Sequence, residues 1–131
     1  MIKKTMTYTD FNGLERTEDF YFNLTEAELV EMETGVDGGY AEMLQTIIKA
    51  KDAKTLIQIF KELVLKSYGV KSLDGRRFEK SEDISRAFSQ TKAYSKLFME
   101  LAFDDVAAAE FVNGIMPEGG IKSIPAQASN K

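Results

Sequence analysis

Two runs of strict alternation, residues 2–9 and 14–22, flank the four residues Asp10-Phe11-Asn12-Gly13. Period-two alternation with β-branched threonines predicts two strands joined as a hairpin. Loop length then decides which side chains go inside. A two-residue Asn12-Gly13 loop pairs Phe11 with Leu14 and puts Met6 and Tyr8 on the face opposite Phe20 and Phe22. A three-residue loop pairs Asp10 with Leu14, Tyr8 with Arg16, Lys4 with Phe20 and Ile2 with Phe22, all on one face. The other face becomes Thr5 with Asp19, Thr7 with Thr17 and Thr9 with Glu15, polar throughout. A one-residue slip turns every side chain over, so the apolar pattern selects the second register. Asp10 opening a type I turn and Gly13 in the left-handed region complete a G1-bulge hairpin.

Helices follow. Leu24-Thr25-Glu26-Ala27-Glu28-Leu29 reads as a helix start, with Thr25 as cap, Glu28 closing a capping box and Leu24 stapled to Leu29. That helix should end by Gly35, and residues 35–39 form a glycine-rich break. A second helix is expected over about residues 40–51. A third, capped by Asp52, should end at Gly69 as its C′ residue. On the third, Leu56, Ile57, Ile59, Phe60, Leu63 and Val64 fill an arc of roughly 160°, the width of a central core helix touched from two sides.

Leu73-Asp74-Gly75-Arg76 is a turn, and Arg77-Phe78 add a short extended piece. Ser81 opens another helix, whose 3–4 spacing from Ile84 to Leu101 is expected to kink or restart at Gln90-Thr91, with Thr91 as cap. Asp104 caps a last helix, where Ala107, Ala108 and Ala109 admit a close neighbour. Gly114 ends it and Pro117 prevents resumption. The fold class is α+β and mainly α-helical, an N-terminal β-hairpin over about residues 2–22 followed by five or six helices. Residues 1–117 are expected to form a single domain and 118–131 a flexible tail.

Composition removes most chemistry. The 131 residues contain no His and no Cys, so there is no imidazole base, no thiolate and no zinc or iron–sulfur site. Three carboxylate pairs remain to be judged. Glu18 and Asp19 point to opposite sheet faces, Glu26 and Glu28 do not face each other on a helix, and Asp104 beside Asp105 is a cap. The glycines of residues 35–39 lack the lysine and hydroxyl of a phosphate loop. Asp74-Gly75 lacks the spaced acids of a calcium loop. No catalytic, metal or cofactor residue is expected, and the chain is read as a non-enzyme.

Charge and apolar crowding point to protein partners instead. Lys and Arg number 17 against 21 Asp and Glu, a net charge of −4, which weighs against general nucleic-acid binding. Only Arg76-Arg77-Phe78 suggests a phosphate contact. Residues 1–40 carry nine acids and three bases, residues 41–100 eight and twelve, and residues 101–131 four and two. An acidic end facing a basic middle would register self-assembly. Phe98, Met99, Leu101, Phe103 and Phe111 crowd the C-terminal third, and Phe98, Leu101, Phe103 and Phe111 are the candidate partner-binding residues. With no apolar signal core after Met1 and no run near the roughly 18 residues of a membrane span, a cytoplasmic protein is expected.

The segments TYTDFNGLERTEDFYFNLTEAEL (7–29), AFSQTKAYSKLFMELA (87–102) and AAAEFVNGIMP (107–117) resemble the tail assembly chaperones of long-tailed bacteriophages and prophages. The likeness spans about residues 1–117. It implies a non-enzymatic assembly factor in the cytoplasm of the bacterial host, absent from the mature virion. Such a factor binds the helical tape-measure protein, keeps it soluble and helps tail-tube protein polymerise around it. The resemblance also implies self-association, and a longer form made by programmed frameshifting that recruits tail-tube subunits. Two alternatives stay open: a virion structural component such as a head–tail connector or tube-associated protein, and a small regulatory nucleic-acid-binding module.

Overall fold

The computed structural model describes residues 1–34 and 53–117. The expected break over residues 35–39, the second helix near 40–51, the cap at Asp52 and the tail 118–131 lie outside the described residues. Strands β1 (Ile2–Thr9) and β2 (Glu15–Phe22) form the hairpin, and helix α1 (Glu26–Thr34) follows. Helix α2 (Ala53–Ser67) runs directly into β3 (Tyr68–Lys71), which turns into the two-residue β4 (Phe78–Glu79). Helices α3 (Glu82–Ser89), α4 (Lys92–Phe103) and α5 (Asp105–Ile115) follow. The result is α+β and mainly helical. No helix among the described residues is long and apolar enough to cross a membrane.

The hairpin adopts the three-residue-loop register along its whole length, from Ile2 opposite Phe22 to Thr9 opposite Glu15. Asp10 builds the turn. Its amide donates to the Leu14 carbonyl at 2.8 Å, and its carbonyl accepts from Gly13, whose φ is +83°. One carboxylate oxygen accepts from the Asn12 and Leu14 amides, and the other from Arg16 at 2.6 Å. The Arg16 guanidinium, helped by the Leu14 amide, holds this carboxyl below the usual carboxylate range. Met6, Phe20 and Phe22 are buried on the inner face, while Thr5 bonds Asp19 and Thr7 bonds Thr17 on the outer one.

The hairpin is half of a larger sheet with strand order β1-β2-β3-β4. Gly69, expected as a helix C′ residue, instead pairs with Tyr21 inside β3. The end of α2 has no need of a left-handed cap. The Leu65 carbonyl accepts from the Ser85 hydroxyl, the Val64 carbonyl from Ser67, and the Ser67 carbonyl from the Asn23 amide. Glycine stands at 69 because a Cβ there would come within 2.7 Å of the Phe78 ring.

Gly114 is corrected in the same way: it lies within α5, which continues to Ile115. A Cβ at Gly114 would meet the Ile2 side chain at 2.4 Å, so the residue lets α5 lie against β1. The Leu24 amide then donates to the Ile115 carbonyl, tying the hairpin's exit to the last helix.

The caps within the described residues form as the sequence predicts. Ser81, Thr91 and Asp104 accept from the first-turn amides of α3, α4 and α5, and α3 stops before Gln90 so that Thr91 starts a new helix. Inside, Phe20, Phe22, Tyr68, Phe88 and Phe111 form an aromatic cluster, with Phe88 stacked on Tyr68 at 4.1 Å. Of the apolar arc on α2, Ile59, Leu63 and Val64 are buried, while Ile57 is 45% exposed. The buried strip is narrower than the apolar one.

The capping box at α1 carries an added load. Glu28 accepts from the Thr25 amide at 2.8 Å, and both its oxygens accept from Lys80 at 2.8 and 2.9 Å. Lys80 also donates to the Asn23 carbonyl at 2.7 Å, joining the start of α1 to the end of β4. Burial works to raise the Glu28 carboxyl, but Lys80 and Thr25 outweigh it and hold it below the ordinary value. A lowered carboxyl contributes stability above its unfolded value of about 4.3 and loses it as pH falls through the folded value. Glu28→Gln should cost about 1–2 kcal/mol at pH 7, a charge-assisted bond discounted for partial exposure. Urea unfolding of both proteins should show that gap shrinking once the pH drops below about 4.

Candidate partner-binding surface

Helix α4 sorts its side chains sharply. Ala93, Leu97 and Leu101 recur at intervals of four and face the core. At 100° per residue, Met99 and Phe103 lie roughly 140° around the helix from them. They are 51% and 79% exposed, the first of them one turn before the second. The helix stops at Phe103 because Asp104 leaves helical geometry and caps α5, its carboxylate accepting from the Val106 and Ala107 amides at 3.0 Å. Val106, in the first turn of α5, is 67% exposed. Three large apolar side chains thus stand in solvent around one helix–helix corner.

The four candidate residues do not share a surface. Leu101 and Phe111 are 3% and 2% exposed, and the Phe111 ring meets Phe22 edge-on at 5.2 Å. Phe98 is half-buried, its ring 6.0 Å from Tyr94. Phe103 alone stands out. Val106 went unnoticed in the sequence; for Met99 and Phe103 the signal was there, since neither falls on the 3–4 stripe through Tyr94, Phe98 and Leu101. Burial raises the Tyr94 hydroxyl above its ordinary value, as expected on the inner side of that stripe.

Electrostatics around the corner are basic towards the start of α4. Lys92 lies 5.1 Å from the Phe11 ring, and Lys96 donates to the Thr7 carbonyl. Glu100 is paired with Lys4 at 2.9 Å. Elsewhere, several described carboxylates serve structure. Glu18 accepts from Tyr8, which raises the Tyr8 hydroxyl, and Asp19 accepts from Thr5 at 2.6 Å. Of the two turn arginines, Arg77 is held by Glu79 at 3.1 Å. Among the described residues no group of three or more acids is placed to hold a metal ion. The arrangement offers apolar and cationic contacts to another chain.

Comparison with known proteins agrees in kind. No curated protein and no solved structure gave a significant match. A family model described as phage tail assembly chaperone matches residues 1–131, the entire chain, and such a family implies a non-enzymatic role with protein partners in the tail. On that match, the chain belongs to the phage tail assembly chaperone family.

Proposed function

We propose that this chaperone binds the tape-measure protein, keeps it soluble and helps tail-tube protein polymerise around it. The observation that carries the reading is the exposed corner formed by Met99, Phe103 and Val106 in a chain of this family. An amphipathic client helix offers apolar anchors at i, i+3, i+4 and i+7, which suit a short apolar ridge of this kind. Methionine and phenylalanine tolerate varied partners. One such ridge gives a weak contact, but many copies along one filament hold through effective concentration. Weakness of each contact lets tube subunits displace the coat.

Residues 1–117 serve as the binding domain in this reading, and 118–131 as a tail. Tail-tube protein is recruited through a longer, frameshifted form. The protein works as a homo-oligomer in the cytoplasm of the bacterial host and leaves before the virion is complete.

Co-expression with the long helical tape-measure protein should move that protein into the soluble fraction. Phe103→Asp together with Val106→Asp should cut the rescue by tenfold or more, the scale expected when apolar anchors are lost. Failure of the unaltered chain to rescue would sink the reading. Full rescue by the double variant would move the surface elsewhere.

A further inference from the structure

Among the described residues the sheet has one long open edge. Among those residues β1 is the terminal strand and pairs with β2 alone. The Asp10 amide donates to Leu14, which makes that pair a closely bonded one. Alternation along the register then directs the backbone of Tyr8, Met6, Lys4 and Ile2 towards β2 and that of Thr9, Thr7, Thr5 and Lys3 outward. Lys96, reaching the Thr7 carbonyl from outside, agrees with that direction. Among the described residues, no strand or side chain meets the outward amides of Thr5, Thr7 and Thr9. A strand edge of this length is either shielded or used.

Helix α4 runs beside that edge in the opposite direction: Lys92 lies by Phe11, Lys96 by Thr7 and Glu100 by Lys4. Between strand and helix is an open groove of about 740 Å³, whose lining includes Thr7, Thr9, Phe11, Lys92, Lys96 and Met99. One wall presents backbone donors and acceptors at a period of two. The other presents the ammonium groups of Lys92 and Lys96, against one carboxylate, Glu15, opposite Thr9 at the turn end, and Phe11 and Met99 are apolar and exposed.

We propose that the groove takes an extended, acidic segment of a partner protein, added as a further strand on the β1 edge. The segment's backbone bonds to Thr5, Thr7 and Thr9, and its carboxylates meet Lys92 and Lys96. One carboxylate draws Lys96 off the Thr7 carbonyl and so frees that acceptor for the incoming amide. Apolar side chains on the same face of the segment rest on Phe11 and Met99. A helical occupant has no spare backbone groups and would leave the three threonine amides unmet. A second copy pairing through the same edge would bring Lys3, Lys92 and Lys96 of both copies together, and like charges across a strand pair repel. Strand addition takes affinity from backbone bonds and specificity from the side chains. This site meets the apolar corner only at Met99, and it stands whether or not the tape-measure protein is the corner's client.

The test uses the full chain and a fluorescein-labelled nonapeptide in which every second residue is threonine and the positions between alternate glutamate and valine, so that glutamate and valine share one face. One companion peptide replaces glutamate by lysine, one has alternate backbone amides methylated, and one is a helical peptide of equal charge. The glutamate peptide should bind and slow amide hydrogen exchange at Thr5, Thr7 and Thr9. The lysine and methylated peptides should bind at least tenfold more weakly. Lys96→Glu should weaken the glutamate peptide at least tenfold with an unchanged melting temperature, whereas Phe103→Asp should leave it unaltered. No binding of the glutamate peptide, equal binding of the methylated peptide, tighter binding of the helical one, or indifference to Lys96→Glu each overturns the proposal. So does dimerisation of the chain through this edge, detected as protection of the Thr5, Thr7 and Thr9 amides that rises with protein concentration in the absence of peptide.

Discussion

Phe111→Asp should leave no stably folded protein at 25 °C, while Phe103→Asp, eight residues earlier, should melt like the unaltered chain. Phe111 is 2% exposed, edge-on to Phe22 at 5.2 Å, with the buried Leu101, Ile115 and Met116 in the same core. Removing its ring costs about 3–5 kcal/mol through lost transfer energy and the cavity left behind. A carboxylate in that space adds several kcal/mol more, because it has neither water nor a cation. The sum approaches the whole stability of an ordinary domain, about 5–15 kcal/mol. At Phe103, 79% exposed, the ring already stands in water. A surface change there is worth within about 0.5 kcal/mol, or roughly 1–3 °C. Circular dichroism melts of the two variants make the comparison. Equal melting of the two would mean that Phe111 is not in the core.

The second large effect is at Phe22. It is fully buried and joins three elements: its ring lies 5.6 Å from Tyr68 on β3, 5.8 Å from Phe88 on α3 and 5.2 Å from Phe111 on α5. Phe22→Ala should lower unfolding free energy by about 3–5 kcal/mol in urea. Phe88→Ala should be severe as well, since Phe88 also stacks on Tyr68 at 4.1 Å. In the double variant the losses should fall short of additive by about 0.5–1.5 kcal/mol, the usual coupling of an aromatic pair. A loss below 1 kcal/mol for Phe22→Ala would show that the cluster does not hold sheet and helices together.

What was legible in the sequence is what local chemistry decides. The hairpin register followed from its period and from Asp10 and Gly13, whose hydrogen bonds and positive φ need nothing beyond the turn. The caps at Thr25, Ser81, Thr91 and Asp104 were legible for the same reason, since each acts within three residues. Gly69 and Gly114 misled because their reason is tertiary. One makes room for Phe78 and the other for Ile2, 112 positions away in the chain. β3 was invisible: four residues, one of them glycine, become a strand only because β2 lies alongside. The apolar crowd of the C-terminal third was visible as composition. Its division into core and surface was not, because the break at Asp104 re-aims α5 and sends Phe111 inward and Val106 outward.

The account rests most heavily on the apolar corner as the contact for a helical client. Hydrogen–deuterium exchange on the chain alone and in a purified complex with the tape-measure protein tests that directly. The account predicts new protection centred on the end of α4 and the start of α5, around Met99, Phe103 and Val106, which Phe103→Asp removes. Protection confined to other elements, with the corner exchanging as freely as in the isolated chain, would contradict it.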